Sequence, residues 1–184
     1  MAASVLIIPG FGGSGPEHWQ SVWEQAHPEY QRVRQRDWYQ PNRDEWVAAL
    51  DAAVAQAEQP VVLVAHSLGC LVVAHWAAQH ERAIQGALLV APPDADDPDF
   101  AVDAGGFAPV PLTPLPFASI VVASADDPYI SLERAEYFAG AWGSLCVSIG
   151  ASGHINTAAG FGPWPFGEDL LAALCAAEHF EYKG

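Results

Sequence analysis

The chain has 184 residues, of which 7 are basic and 22 acidic, and its formal net charge is −15. Nucleic acids and anionic membranes are bound through clustered Lys and Arg, so this balance argues against both as partners. No apolar run approaches the ~20 residues that span a bilayer, and Met1–Ser4 lacks the basic start of a signal peptide. We therefore expect a cytoplasmic protein that folds as a single domain over 1–184.

Strand-like and helix-like segments alternate along the chain. Apolar runs predict strands near 4–8, 31–35, 61–65, 86–91, 119–124 and 144–148. Helical periodicity predicts helices near 17–27, 43–57, 68–79, 131–141 and 167–180. This alternation predicts an α/β fold, with a mostly parallel sheet of about six strands and helices on both faces. If the second strand lies outside the first and the third inside it, the strand order reverses there, and ligands bind at such a point.

A glycine-rich segment follows the first predicted strand. Pro9 ends that strand, and glycines occupy most of the segment 10–15. Glycines let a backbone approach a ligand closely. A phosphate-binding loop is the competing interpretation, but no Gly-Lys-Ser/Thr follows, and we predict no cofactor.

The segment Val61–Gly69 places a serine at the corner between an apolar strand and a helix. A nucleophilic serine at such a corner stands in a strained turn, so the positions two before and two after it need small side chains. Ala65 and Gly69 meet this need, although glycine is usual at both positions. We therefore predict that Ser67 is a nucleophile; the alternative is a serine that only caps the following helix.

Acidic residues and a histidine follow this serine in the order that the architecture requires. Asp126 and Asp127 come after the strand predicted at 119–124, and His154 comes after the strand predicted at 144–148. Taken singly, each is compatible with ordinary turn or loop chemistry. Three such loops, each after its own strand and in the required order, predict a catalytic triad.

The neighbouring residues refine this prediction. Pro128 biases Asp127 toward an extended conformation that projects its carboxylate outward, so Asp127 is our orienting acid, whereas Asp126 closes the turn. A developing oxyanion needs backbone N–H donors. The expected pair is Leu68, directly after the nucleophile, and Phe11 in the glycine-rich segment.

The sequence resembles the small serine hydrolases of the YdeN and retinoblastoma-binding-protein type. The resemblance extends over nearly the whole chain, and its motifs are Pro-Gly-x-Gly-Gly, His18-Trp19, His66-Ser67-x-Gly69, Asp126-Asp127-Pro128 and Gly153-His154. It implies an α/β-hydrolase fold with Ser67, Asp127 and His154 as the triad, and esterase activity on a small-molecule acyl substrate. Some members are associated with protein binding. The alternative function is therefore a protein-binding module on a hydrolase scaffold.

Several aromatic and acidic residues are candidates for the walls of a substrate pocket. We expect Gly12, Trp38 and Trp164 to lie at the active edge of the sheet. Between 92 and 116, aspartates alternate with prolines and glycines. This segment is interpreted as a short lid or cap loop, with a plain solvated acidic loop as the alternative. It lacks the EF-hand arrangement, and we predict no metal.

The remaining histidines, arginines and cysteines are interpreted as structural. His18 is expected at a helix N-terminus without a catalytic task, and His66 is expected to pack behind Ser67. Alternate residues of the second strand are arginines and predict a solvated face: Arg32, Arg34 and Arg36. The cysteines lie in or beside apolar segments and are expected to be reduced: Cys70, Cys146 and Cys175.

Overall fold

The computed structural model describes residues 3–100 and 105–176. Within them, six strands form one sheet: β1 (Ser4–Ile8), β2 (Gln31–Arg32), β3 (Val61–His66), β4 (Gly86–Val90), β5 (Ala118–Ala123) and β6 (Leu145–Ser148). The α-helices are α1 (Trp19–Ala26), α2 (Arg43–Gln56), α3 (Leu68–Ala77), α4 (Leu132–Trp142) and α5 (Pro165–Ala176). Each predicted element is present. The predicted end of the last helix, at 180, lies outside the described residues.

The strand order is β2-β1-β3-β4-β5-β6, and every neighbouring pair is parallel. The chain therefore runs outward from β1 to β2 and then returns to the other side of β1, which confirms the predicted reversal. Ile8 pairs with Ala65 at the carboxyl ends of β1 and β3. Because of this register, the loops that follow the two strands start side by side.

Alternating strand residues feed two separate cores, one on each face of the sheet. Leu6 and Ile8 join one cluster, whereas Val5 and Ile7 join the other. The first cluster is covered by α2, α3 and α4, and the second by α1 and α5. Helix α3 is buried from Leu68 to Trp76, as expected for a helix enclosed by its neighbours. None of the helices in the described part of the chain is long and apolar enough to cross a bilayer.

The second strand is much shorter than predicted, and the expected solvated face of arginines is wrong for Arg32. The Arg32 guanidinium forms an ion pair with Glu24 and donates to the carbonyl oxygens of Gly13, at 2.6 Å, and Ser14, at 3.2 Å. β2 ends at Arg32, so Arg34 and Arg36 lie beyond it. Arg32 therefore ties the glycine-rich segment to α1.

The described parts of the segment 92–116 are anchored to the domain. Phe107 is fully buried, and its carbonyl oxygen accepts a hydrogen bond from the His75 ring at 2.8 Å. Asp94 and Asp96 each accept from Arg134 on α4, at 2.8 and 3.0 Å. These contacts exclude a wholly solvated loop in the described residues. Movement of the segment as a lid stays a prediction.

Glycine at position 69 is required by the closeness of β1 to α3. A Cβ atom at Gly69 would lie 2.3 Å from the carbonyl oxygen of Ile8, whereas Ala65 is accommodated with its methyl group buried in the core. We expect Gly69→Ala to lower the free energy of unfolding by about 1–3 kcal/mol, because strand and helix must separate. Urea unfolding measures this loss.

Gly140 on α4 provides the matched control. A Cβ atom there would meet nothing within 4 Å. Gly140→Ala is expected to leave stability unchanged or raise it by up to about 1 kcal/mol through helix propensity. Equal stability of the two alanine variants would contradict the packing argument for Gly69.

Candidate active site

Ser67 occupies a strained turn between β3 and α3. Its φ of 55° and ψ of −128° lie outside the regions that non-glycine residues normally adopt. The turn is held by hydrogen bonds on both sides: Ser67 N–H donates to the Val90 carbonyl at 2.9 Å, and Cys70 N–H donates to the Ser67 carbonyl at 2.8 Å. Backbone strain of this kind costs about 1–3 kcal/mol and persists only where neighbouring contacts enforce it.

The side chains of Ser67, His154 and Asp127 form one hydrogen-bonded chain. His154 Nε2 lies 2.7 Å from Ser67 Oγ, and its Nδ1 lies 3.0 and 2.8 Å from the two oxygens of Asp127. The Asp127 carboxylate is fully buried and also accepts from the Tyr129 N–H at 2.9 Å. Since an ionised carboxylate only accepts, Nδ1 donates to Asp127, and Nε2 is free to accept the serine proton.

Asp126 points to a different partner from Asp127. Its Oδ1 accepts from Ser124 Oγ at 2.8 Å and from the Gly153 N–H at 2.7 Å. The Ser124 hydroxyl and the Gly153 amide lower the pKa of this carboxyl, because both donate to its charged form. Asp126 therefore braces the turn that precedes His154 and does not contact the imidazole.

Two further side chains hold the backbone on the other side of His154. The carbonyl oxygen of His154 lies 2.9 Å from His66 Nε2, and the carbonyl of Ile155 accepts from Trp19 Nε1 at 2.9 Å. Together with Asp126 at the Gly153 N–H, side chains from three separate segments hold the backbone at three consecutive residues.

The glycine-rich segment lies against the serine corner. A Cβ atom at Gly10 would come within 2.9 Å of both Ser67 Cβ and Leu68 N, so only glycine fits there. The N–H groups of Gly12 and Gly13 already donate, to Trp38 and Gly10 at 3.0 and 3.1 Å. Leu68 is the first residue of α3, a position whose N–H has no intrahelical acceptor. Phe11 and Leu68 both line the cavity beside Ser67.

The same glycines carry a spacing that is also found in nucleotide-binding loops. Gly10, Gly12 and Gly15 match Gly-x-Gly-x-x-Gly, but that motif needs a helix that opens directly at the loop. Here α1 begins only at Trp19, and the loop packs on the serine corner. The local structure thus favours a loop that serves Ser67 over a dinucleotide site.

A cavity of about 380 Å³ opens at this edge of the sheet. Its lining includes Gly12 and four residues that were predicted to have chemical roles: Ser67, His154, Phe11 and Leu68. No Asp, Glu, Lys or Arg side chain is among the described residues that line it. Other lining residues were not singled out from the sequence: Ser14, Gly15, Phe100, Tyr129, Asn156, Thr157 and Ala158. All of them lie in connecting segments that follow a strand, which is the signal that could have identified them.

Two of the predicted pocket residues lie elsewhere. Trp38 packs behind the glycine-rich segment, where a Cβ atom at Gly13 would lie 2.7 Å from its ring, and it contacts Trp46 edge-on. Trp164 is buried in the core between sheet and helices, with its ring 5.2 Å from Trp19 and 6.0 Å from Trp23. Both predictions as pocket walls are wrong, because Trp38 packs against the first core cluster and Trp164 belongs to the second.

His18 and His66 form a row of rings that ends at His154. The ring centres of His18 and His66 are 4.6 Å apart, and those of His66 and His154 are 5.0 Å apart. His18 is the N-cap of α1, and its Nδ1 accepts from Gln20 N–H at 3.2 Å. Burial lowers the pKa of His18 to about 4 and the pKa of His66 well below 6.5. Both rings are therefore neutral near pH 7.

Comparison with known proteins agrees with this site. The sequence model described as serine hydrolase matches residues 5–173. The chain belongs to the serine hydrolase family. A YdeN-like hydrolase from Pectobacterium atrosepticum is 40% identical over 95% of this chain and 91% of its own, with a TM-score of 0.85. No curated protein sequence matches the chain.

More distant members of the fold give the same picture. The ydeN gene product of B. subtilis has 20% identity, covers 95% of this chain and 100% of its own, and has a TM-score of 0.76. Esterase 2 of Thermogutta terrifontis has 14% identity, coverage of 96% and 86%, and a TM-score of 0.66. The predicted resemblance to YdeN-type serine hydrolases and the α/β-hydrolase fold are both confirmed.

The buried neutral histidines of this serine hydrolase predict acid-sensitive stability. His18 and His66 titrate near pH 6.5 in the unfolded chain but at lower pH in the folded one, so their contribution is complete above pH 6.5 and is lost as pH falls. Two such groups give a slope of about 3 kcal/mol per pH unit near pH 5.5. Urea unfolding between pH 7 and 5 measures it.

The variant His18→Asn is the control for this slope. Asparagine also caps helices, so the variant removes one titrating group and keeps an acceptor for the start of α1. The slope should fall by about 1.4 kcal/mol per pH unit, which is the contribution of one histidine. An unfolding free energy of the wild-type protein that stays level from pH 7 to 5 would contradict the assignment of two neutral histidines.

Proposed function

We propose that the protein is a serine esterase that hydrolyses small, uncharged acyl esters through an acyl-enzyme intermediate. The observation that carries this proposal is the chain of hydrogen bonds from Ser67 through His154 to Asp127, with contacts of 2.7 and 2.8 Å. Ser67 and His154 of this hydrogen-bonded group line the cavity. The protein also belongs to the serine hydrolase family.

In the acylation half-reaction, Ser67 Oγ attacks the carbonyl carbon of the ester while His154 Nε2 takes the hydroxyl proton. The tetrahedral intermediate collapses, the C–O bond to the alcohol breaks, and His154 returns the proton to the leaving oxygen. A water molecule then repeats the attack on the acyl-enzyme with His154 as base, which releases the carboxylic acid and restores Ser67. Asp127 holds the tautomer of His154 and stabilises its charged form.

The oxyanion of each tetrahedral intermediate is assigned to two backbone amides, Leu68 and Phe11. Support comes from the closeness of Gly10 to this corner, where an added Cβ atom would lie 2.9 Å from Leu68 N. The next residue of the loop, Phe11, lines the same cavity as Ser67. Removal of one such donor typically costs 10²–10³ in kcat in related chemistry. The strained turn at Ser67 also supports the proposal, because it places the Ser67 hydroxyl next to the Leu68 N–H.

The cavity suggests the class of substrate. About 380 Å³ is near the lower end of small-molecule pockets, which favours a short acyl or alcohol group. Phe11, Phe100 and Tyr129 give it aromatic walls, and the described lining carries no charged side chain apart from the triad histidine in its charged form. Phe100 comes from the segment 92–116, which we propose as a short lid of the 1–184 domain. Thioesters and amides undergo the same acyl-transfer steps.

Replacement of the nucleophile tests the proposal. Ser67→Ala is expected to lose short-chain ester hydrolysis by roughly a millionfold in kcat, as in another serine hydrolase, and to lose labelling by a fluorophosphonate probe. Hydrolysis of p-nitrophenyl acetate and mass spectrometry of the labelled peptide measure both. Circular dichroism establishes that the variant is folded. Labelling of a different residue in the wild-type protein would overturn the role of Ser67.

The adjacent aspartates allow a matched comparison of roles. Asp127→Asn keeps the shape of the side chain but can stabilise the wrong tautomer of His154, a change that costs on the order of 10⁴ in kcat in a comparable triad. Asp126→Asn keeps an acceptor for Ser124 and Gly153, and we expect a loss within roughly tenfold. Values of kcat/KM and melting temperature for both variants decide between them. A reversed order, with both proteins folded, would transfer the orienting role to Asp126.

A further inference from the structure

Two adjacent residues contact the same histidine through different groups. Ser67 Oγ lies 2.7 Å from the imidazole of His154, and His66 Nε2 lies 2.9 Å from the His154 carbonyl oxygen. A carbonyl oxygen only accepts, so Nε2 of His66 carries the hydrogen and donates. The His66-Ser67 dipeptide therefore contacts both the side chain and the backbone of His154.

The backbone around His154 needs such a contact. Gly153 and Ile155, on either side, have φ angles of 53° and 48°, so the histidine stands between two left-handed residues. For Ile155 this conformation is strained. Without external donors, nothing in local backbone preference keeps the imidazole directed at both Asp127 and Ser67.

His66 has the properties of a fixed neutral donor. It is 5% exposed, and its neighbours are the rings of His18, Trp19 and His154, at 4.6, 5.9 and 5.0 Å. Burial and the two other histidines lower its pKa, which keeps the ring uncharged. A neutral ring adds no like charge that would oppose formation of the His154 imidazolium.

We propose that His66 is a positioning residue: its Nε2–H holds the peptide of His154 so that the imidazole bridges Asp127 and Ser67. This inference rests on the proposed triad. It gives the residue before the nucleophile a task beyond packing. It also separates His66 from Trp19, which holds only the following peptide, that of Ile155.

The test compares variants with and without a donor at position 66. His66→Phe keeps a ring of similar volume but has no donor, and His66→Leu is a second donor-free variant. His66→Gln presents an N–H at a similar distance from the main chain. The protein used is the full chain, and the substrate is p-nitrophenyl acetate.

We expect His66→Phe and His66→Leu to lower kcat by roughly 10- to 100-fold, with KM within about twofold, because a displaced base slows the chemical step. His66→Gln should recover most of kcat. The low-field proton resonance of the His154–Asp127 hydrogen bond should weaken in the donor-free variants and persist in His66→Gln. Trp19→Phe, which removes the donor to Ile155, should lower kcat less.

Three results would overturn the inference. One is a folded donor-free variant with the kcat of the wild-type protein. Another is an equal loss in His66→Gln and His66→Phe, which would indicate packing alone. The third is a loss confined to melting temperature. Ser67→Ala is assayed in parallel: if it stays active, the triad itself fails, whereas an inactive Ser67→Ala beside an unaffected His66→Phe overturns only the positioning role.

Discussion

The close contact of β1 with the corner between β3 and α3 is the constraint on which the rest of the site depends. Gly69 lets α3 pass against the Ile8 carbonyl, and Gly10 lets the following loop pass against Ser67 and Leu68. Because the two strands end in register, this contact brings the loop after β1 beside Ser67 and Leu68. The positive φ of Ser67 is retained in a turn whose hydrogen bonds to Val90 and from Cys70 hold it in place.

Much of the fold could be predicted from local sequence. Short apolar runs identify the strands, and helical periodicity identifies the helices. Parallel pairing of the strands follows from their alternation with helices. The meeting of Ser67, Asp127 and His154 could be predicted as well, since each follows a strand, and the carboxyl ends of parallel strands share one edge. Pro128 also allowed different partners to be predicted for Asp126 and Asp127, in agreement with those observed.

Other features depend on contacts between distant segments, which local patterns do not encode. Trp38 and Trp164 look like wall residues from their place after a strand or after His154, but tertiary packing buries Trp164 and places the partly buried Trp38 against the other core. Arg32 resembles a solvated strand residue until Glu24 and the glycine-rich segment are brought beside it. The bond from His66 to His154 joins residues 88 apart in the chain. No motif or spacing in the sequence identifies this donor and acceptor as partners.

The uncharged lining of the cavity also bears on how the reaction ends. In the proposed reaction a neutral ester becomes a carboxylate, and the protein around it has a net charge of −15. Among the described lining residues there is no lysine or arginine to retain that anion. Once His154 returns to its neutral form, the field of the protein repels the acid that has just formed. For the proposed reaction, the charge imbalance that gives the chain its acidic character thereby favours release of the acid product.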